Sequence, residues 1–142
     1  MLHYAKTRRT YIRNSKKDRM HNHCAFCSDE NLQSRVVEKT ATMIVIPNRV
    51  SYDIFEGRKV ETHLMVLPIR HVESISDFTD DEKRDMVDIL AKYEILGYNL
   101  YARGVGSISR SVKHQHTHLI KISNTLPNIS LFVRRPYILF HK

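Results

Sequence analysis

The sequence predicts an α+β domain built on a mainly antiparallel sheet. Two observations carry that expectation. Short segments rich in Val and Ile lie on both sides of one amphipathic helical stretch, and Gly, Pro and Asn punctuate them where a strand would have to turn. At 142 residues the chain is expected to form one domain with a core of its own, and it contains no internal repeat or low-complexity segment.

The elements follow in order. Arg35 to Lys39 and Thr42 to Ile46 read as short strands, the second stopped by Pro47-Asn48. Residues 48–61, which include Gly57, read as a loop or an irregular hairpin. Thr62 to Leu67 reads as a third strand, closed by Pro68, which has no N–H to give a ladder. Thr79-Asp80-Asp81-Glu82 has the form of a capping box, with Thr79 as N-cap and three carboxylates at the positive end of the helix dipole. Met86, Ile89, Leu90, Tyr93, Leu96 and Leu100 then recur at helical spacing as one apolar stripe, read as core packing. Val105 to Ser109 and Gln115 to Ile122 are expected strands, and apolar clusters at Leu131–Val133 and Tyr137–Phe140 flank Arg134-Arg135-Pro136. The expected organisation is a basic N-terminal arm (1–23), the domain itself (24–125) and a C-terminal tail (126–142).

A net charge of +8 favours an anionic partner: nucleic acid, a membrane surface or a small polyphosphate. Much of the excess sits in Lys6, Arg8, Arg9, Arg13, Lys16, Lys17 and Arg19, opposed in that stretch only by Asp18, and reads as a solvated arm. No apolar run approaches the roughly 18–20 residues of a membrane-spanning helix, and no apolar segment follows the first residues as in a secretory signal. A cytoplasmic protein is therefore expected. The cysteines are Cys24 and Cys27. In a cytosolic chain Cys-x-x-Cys is half a zinc site or a redox pair, and the preceding Asp18–His23 does not read as the strand that a thioredoxin-type motif follows. Zinc is favoured, with two ligands still to be found.

His114, His116 and His118 alternate, so in a strand they project from one face with neighbouring side chains roughly 6–7 Å apart. Three imidazoles on one face are costly to bury without partners. The cluster therefore reads as a metal site, a polyanion site or a nucleophile with its supports. His3 and His141, near the termini, are expected to be exposed, and His21 and His23 are possible substitute metal ligands.

The segment Ser111-Val112-Lys113-His114-Gln115-His116-Thr117-His118-Leu119-Ile120 resembles the His-φ-His-φ-His-φ-φ signature of the histidine-triad superfamily. Upstream, Thr62-His63-Leu64-Met65-Val66-Leu67-Pro68-Ile69-Arg70-His71 is similar to the strand that family carries before its helix, and Cys24-Ala25-Phe26-Cys27 resembles the cysteine pair that opens many members. The resemblance covers roughly residues 24 to 122. It implies a nucleotide hydrolase or nucleotidyl transferase in which His116 attacks an α-phosphorus, while His118 and His63 contact the phosphate oxygens. It implies phosphate contacts from Ser111 and Arg110 and a ribose contact from Asn48. It also implies a structural Cys₂His₂ zinc site made by Cys24, Cys27, His71 and His114, as in the zinc-bearing branch that includes galactose-1-phosphate uridylyltransferases. Dinucleoside polyphosphates or nucleoside phosphoramidates are the implied substrates. A homodimer is the implied assembly, with the tail a contributor to its interface.

The chain departs from the pattern in places. Gln115 and Thr117 stand where apolar residues are usual, which predicts a less buried back face. Arg110 replaces a common glutamine and Arg103 an asparagine common in one branch, and the glycine-rich turn is reduced to Gly104-x-Gly106. Two competing readings remain: a nucleic-acid-associated protein, aprataxin-like, that uses the basic arm, and a metal-binding protein that uses the triad itself as a three-histidine site.

Overall fold

The sheet is organised around one long strand. In the computed structural model, residues 3–4, 7–10, 12–13, 24–28 and 32–124 are described in full, and 130–134 and 137–141 as backbone. The strands are β1 (Glu38–Lys39), β2 (Met43–Pro47), β3 (Ile54–Phe55), β4 (Arg58–Pro68), β5 (Asn99–Ala102), β6 (Thr117–Ile122), β7 (Ser130–Arg134) and β8 (Tyr137–His141). The long helix α1 is Asp80–Ile95. The main sheet runs β1-β2-β4-β6-β5 with β3 folded back on β4, and every pairing in it is antiparallel. The predicted α+β class and its single long helix are what the structure has. The strands β7 and β8 pair with each other as a separate two-stranded hairpin.

Alternation gives the sheet two different faces. Met43, Val45, Leu64, Val66 and Leu119 point to one side, where Met86, Ile89 and Tyr93 of α1 cover them. Ile44, Ile46, Met65 and Leu67 point to the other, where Phe26 of the cysteine knuckle packs on them. His63 and His118 share this second face, because Met65 pairs with His118 and His63 with Ile120 across β4 and β6. Period-two geometry thus puts the helix behind the sheet and the histidines in front.

The helix begins as expected. Thr79 accepts from Glu82 N–H and the Glu82 carboxylate accepts from Thr79 N–H, closing the capping box. Glu82 is buried and also receives two guanidinium N–H bonds from Arg70, at 3.1 and 2.8 Å, which hold its carboxyl below the usual range. The helix ends earlier than the apolar stripe implies. Leu96 is the C-cap and Leu100 lies in β5, and both are exposed. Gly97 at φ +81 turns the chain, with Gly97 N–H on the Glu94 carbonyl and Tyr98 N–H on the Tyr93 carbonyl. The Tyr93 and Tyr98 rings meet at 5.2 Å to complete this Schellman ending. Gly97→Ala is expected to cost about 1 kcal/mol, because no hydrogen bond offsets the Cβ in a left-handed residue. Urea unfolding checks this, and an unchanged midpoint would refute it.

Other boundaries also move. Of the first expected strand only Glu38–Lys39 pairs, and Gln33–Arg35 is a 3-10 turn. The 48–61 stretch contains a true hairpin, β3 turning into β4 through Glu56 (φ 49) and Gly57 (φ 72), the double left-handed step of a type I′ turn. The strand expected at Val105–Ser109 is absent. Ser107 N–H bonds the Gly104 carbonyl and Arg110 N–H the Ser107 carbonyl, so the segment is a run of turns with Ile108 fully exposed. The strand before the triad is Asn99–Ala102 instead. Gln115 and His116 precede β6 rather than belonging to it. The back face is also not less buried, since Gln115 and Thr117 are only 3% and 4% exposed.

Candidate active site

Each of the three histidines has a different set of partners. His116 Nδ1–H donates to the His114 carbonyl at 2.8 Å, which leaves the Nε2 lone pair outward. Burial pushes the His116 pKa down, and the Arg110 and Arg103 charges add to that against the opposing carbonyl bond. The ring is therefore neutral at pH 7. A neutral imidazole with one nitrogen held by the backbone is a nucleophile with a fixed direction.

His118 is set by a chain of bonds that begins at a backbone amide. Tyr52 N–H donates to His63 Nδ1 at 3.1 Å, so His63 carries its proton on Nε2. That N–H lies 2.9 Å from His118 Nδ1 and donates to it, so His118 carries its proton on Nε2. The His118 Nε2–H is buried, and among the described residues it has no hydrogen-bond partner. A buried donor without a partner costs about 1–3 kcal/mol, and at a functional site it marks where a ligand atom belongs. Burial first, then the neighbouring imidazoles and Arg103, drive His63 to about 3 and His118 to about 2. Asn48 brings Nδ2 to 3.2 Å of His63 Nε2, while its Oδ1 accepts Val50 N–H.

A second cluster adjoins the first through His114. His114 Nε2–H donates to the Pro68 carbonyl at 3.0 Å, which turns Nδ1 toward the cysteines. That Nδ1 lies 3.5 Å from Cys24 Sγ and 3.4 Å from Cys27 Sγ, and His71 Nδ1 lies 3.4 Å from Cys27 Sγ. The four ligand atoms of Cys24, Cys27, His71 and His114 all fall within 4.8 Å of one another. A zinc tetrahedron with bonds of about 2.3 Å to sulfur and 2.05 Å to nitrogen has S···N edges of about 3.5 Å. The donor set and its spacing fit such an ion. Partial desolvation and the adjacent Cys24 push the Cys27 thiol up to about 11, so this thiol needs a cation before it ionises. His21 and His23 lie outside the described residues.

Several contacts were not legible as site residues. Phe26 sets its ring edge-on to His114 at 5.6 Å and to His116 at 5.3 Å, joining the knuckle to the triad. Tyr52 packs at 4.5 Å on His63 and 5.6 Å on His118, and Tyr101, paired with His118 across the sheet, stacks on it at 5.9 Å. Arg103 donates to the Tyr52 hydroxyl at 3.0 Å and to the Ser109 carbonyl at 2.6 Å. His3 is not exposed as expected. It packs at 5.4 Å on Tyr52, and Tyr4 N–H and Thr7 Oγ1 are bound by Asp53 beside it. The sequence places Tyr52 only in the loop or irregular hairpin of residues 48–61, which does not say where the ring packs.

Arg110 turns inward. Its guanidinium donates to the carbonyls of Val112, Glu73 and Lys113 and to Gln115 Oε1. Two of the departures from the pattern are thus partners, since Arg110 donates to the buried Gln115 Oε1. Ser111 is exposed at the start of the segment leading to His114.

An antiparallel α+β domain with alternating histidines entering a central strand, beside a Cys₂His₂ cluster, defines a class. Its fold is that of the histidine-triad proteins. Three solved structures illustrate the likeness. A HIT family hydrolase from Clostridium thermocellum matches at TM-score 0.53 and 18% identity over 75% of this chain and 96% of that one. A hypothetical histidine triad nucleotide-binding protein from Sulfolobus tokodaii matches at TM-score 0.54 and 19% identity, over 74% and 73%. A histidine triad nucleotide-binding protein from Candida albicans matches at TM-score 0.50 and 19% identity, over 81% and 87%. No family profile matches the sequence, and no curated protein does. Among the described residues, no helix is long and apolar enough to cross a membrane.

Proposed function

We propose that the chain is a nucleotide hydrolase or nucleotidyl transferase acting at an α-phosphate. The observation that carries the reading is the pair of Nε2 atoms at the sheet face. His116 Nε2 offers a lone pair, His118 Nε2 offers an unpartnered buried proton, and their rings are 5.1 Å apart. The His116 lone pair forms the N–P bond as the bond from phosphorus to the leaving group breaks, and the leaving group departs with that electron pair. Water or a second acceptor then attacks phosphorus, and the N–P pair returns to His116. The His118 Nε2–H donates to a phosphate oxygen where negative charge gathers. His63 holds His118 in the tautomer that makes this donation possible.

In the same reading Asn48 contacts the ribose, Ser111 contacts phosphate, and Arg110 contributes charge while it braces the loop. Dinucleoside polyphosphates or nucleoside phosphoramidates are the substrates. Cys24, Cys27, His71 and His114 would hold zinc. With four protein ligands its role is structural, a crosslink between the knuckle and the segment bearing the nucleophile. The thiols fit a reducing, cytoplasmic setting. The assembly is a homodimer to which the tail contributes.

The test is incubation with α-³²P-labelled adenine and guanine nucleotides followed by acid-free denaturing electrophoresis. Wild type is expected to carry label through an acid-labile, base-stable bond, and His116→Ala none. Label retained by His116→Ala would overturn the assignment.

One observation favours a second reading, a nucleic-acid-associated protein. Arg8, Arg9 and Arg13 are exposed on the segment that Asp53 anchors beside Tyr52. It predicts nucleic-acid binding that weakens steeply with salt and is lost on removing residues 1–19.

A further inference from the structure

We propose that Arg103 determines substrate specificity: it selects substrates that carry a further phosphate beyond the phosphorus attacked by His116. The inference deepens the nucleotidyl-transfer reading and rests on it.

Bonds to the Ser109 carbonyl and to the Tyr52 hydroxyl help to place the guanidinium. It lies near both aromatic walls of His118. Tyr52 packs on His118 and is the acceptor of the Arg103 bond, while the Tyr101 ring, stacked on His118, lies 6.0 Å from the Arg103 Cζ. A permanent cation therefore stands beside the two rings that pack on His118, the residue whose Nε2–H faces phosphate in the proposed reaction. The imidazoles themselves are neutral, so they supply a donor and a lone pair but no charge.

The Arg103 charge also lowers the pKa of His63 and His118, behind burial, which accords with its place beside Tyr52 and Tyr101. Arg110 is held on the carbonyls of residues 73, 112 and 113, whereas Arg103 is held on the Ser109 carbonyl and the Tyr52 hydroxyl. Arg103 is the cation on the aromatic side. Arg103 thus adds one full positive charge beside His118. A guanidinium keeps that charge at all working pH values and matches phosphate geometry. An uncharged amine leaving group gains little from it. A leaving group that is itself a phosphate, or a retained polyphosphate chain, gains a charge-assisted contact.

Calorimetric binding of AMP, ADP and ATP, with the guanine series beside them, tests the inference. Wild type, Arg103→Gln, Arg103→Lys and Tyr52→Phe are compared. The Arg103→Gln variant is expected to lose about thirtyfold in affinity for ADP and ATP, the size of one charge-assisted contact, and no more than about threefold for AMP. Arg103→Lys keeps the charge and is expected to retain most of the preference. Tyr52→Phe removes the bond that braces the guanidinium but not its charge, and is expected to leave the ADP-to-AMP ratio within about threefold. Equal losses for AMP and ADP, or a Tyr52→Phe protein that behaves as Arg103→Gln, would show a loop brace and overturn the proposal. The two readings fail separately. An ADP preference that depends on Arg103 in a protein that never takes label from nucleotide sinks the reaction and leaves the anion seat. Labelling of His116 with a ratio indifferent to Arg103 sinks the seat and leaves the reaction. Wild type that binds none of these nucleotides sinks both.

Discussion

Replacing His116 by alanine is expected to lower kcat by roughly 10⁴-fold or more, with the protein still folded. The size follows from its role. In the proposed reaction His116 forms the bond that divides one displacement into two, and among the described residues no other imidazole on this face can take its place. His118 points a proton, not a lone pair, toward the substrate, because the Tyr52 amide fixes the tautomers of His63 and then of His118. His114 has Nε2–H on the Pro68 carbonyl and Nδ1 among the cysteine sulfurs. His116→Asn, which can keep a donor to the His114 carbonyl but has no ring lone pair, is expected to be as inactive as alanine. A residual rate within about tenfold of wild type in either variant would remove His116 from the nucleophile position.

The pH profile carries the same assignment with a definite sign. Attack needs neutral His116, and burial lowers its pKa below the ordinary 6.5. The kcat/KM acid limb is therefore expected below pH 6.5, with a flat region through pH 7. An acid limb at or above 6.5 would contradict the buried neutral ring. Stability changes over the same window. His63 and His118 have folded-state values near 3 and 2, against about 6.5 unfolded, so below 6.5 the unfolded chain binds more protons. Stability contributed by these neutral rings is whole above pH 6.5 and is lost as pH falls toward their folded values. The loss is about 1.4 kcal/mol per pH unit for each ring. Activity must therefore be read alongside thermal unfolding at each pH, and the two limbs separate if the catalytic limb appears while the fold is still intact.

Local patterns in the sequence made the fold class legible. The capping box at Thr79 and the alternating Val and Ile of β2 and β4 use neighbours a few residues apart, and the structure has both. Features that failed depend on competition between local signals. Leu96 and Leu100 continue the helical period, but Gly97 offers a left-handed ending that the period cannot register. Val105 and Ile108 are good strand formers, yet the glycines between and before them favour turns, and the short, half-buried edge Asn99–Ala102 pairs with β6 in their place. The histidines and cysteines stood out by type and spacing. Phe26 and Tyr52 did not, because an ordinary aromatic becomes a site wall only through contacts far away in the chain, and Arg103 stood out as a departure whose partners the sequence could not name. Arg110 and Gln115 each looked like a separate irregularity until the fold paired them.

Removing the cysteine pair is the second change with a large expected effect. The four candidate ligands come from three distant segments, since Cys24 and His114 are 90 residues apart and Cys27 and His71 are 44 apart. A metal that joins them closes two long loops and fixes Phe26 over Ile44, Ile46, Met65 and Leu67. In small zinc domains the bound ion is worth about 10–16 kcal/mol, but this sheet has a separate core under α1, so only part of that is coupled to folding. Cys24→Ser with Cys27→Ser is expected to lower Tm by about 10 °C, which corresponds to roughly 3 kcal/mol for a chain of this size. The protein should purify without metal, whereas wild type is expected to carry one zinc per chain by elemental analysis. Single replacement of His71 or His114 should also lose the metal. His116→Ala and His118→Ala should keep it, because neither ring contributes to the cluster of Cys24, Cys27, His71 and His114. A three-histidine site predicts the reverse, with metal lost from His116 and His118 variants and kept by the serine pair. The activity of the serine pair adds a further discrimination. The Nδ1–H bond that orients His116 ends on the carbonyl of His114, the residue that would hold the ion, and Phe26 between the cysteines lies against both rings. Loss of the knuckle should therefore lower kcat more than it raises KM. A serine pair as stable, as metal-rich and as active as wild type would dissolve the link between the two sites.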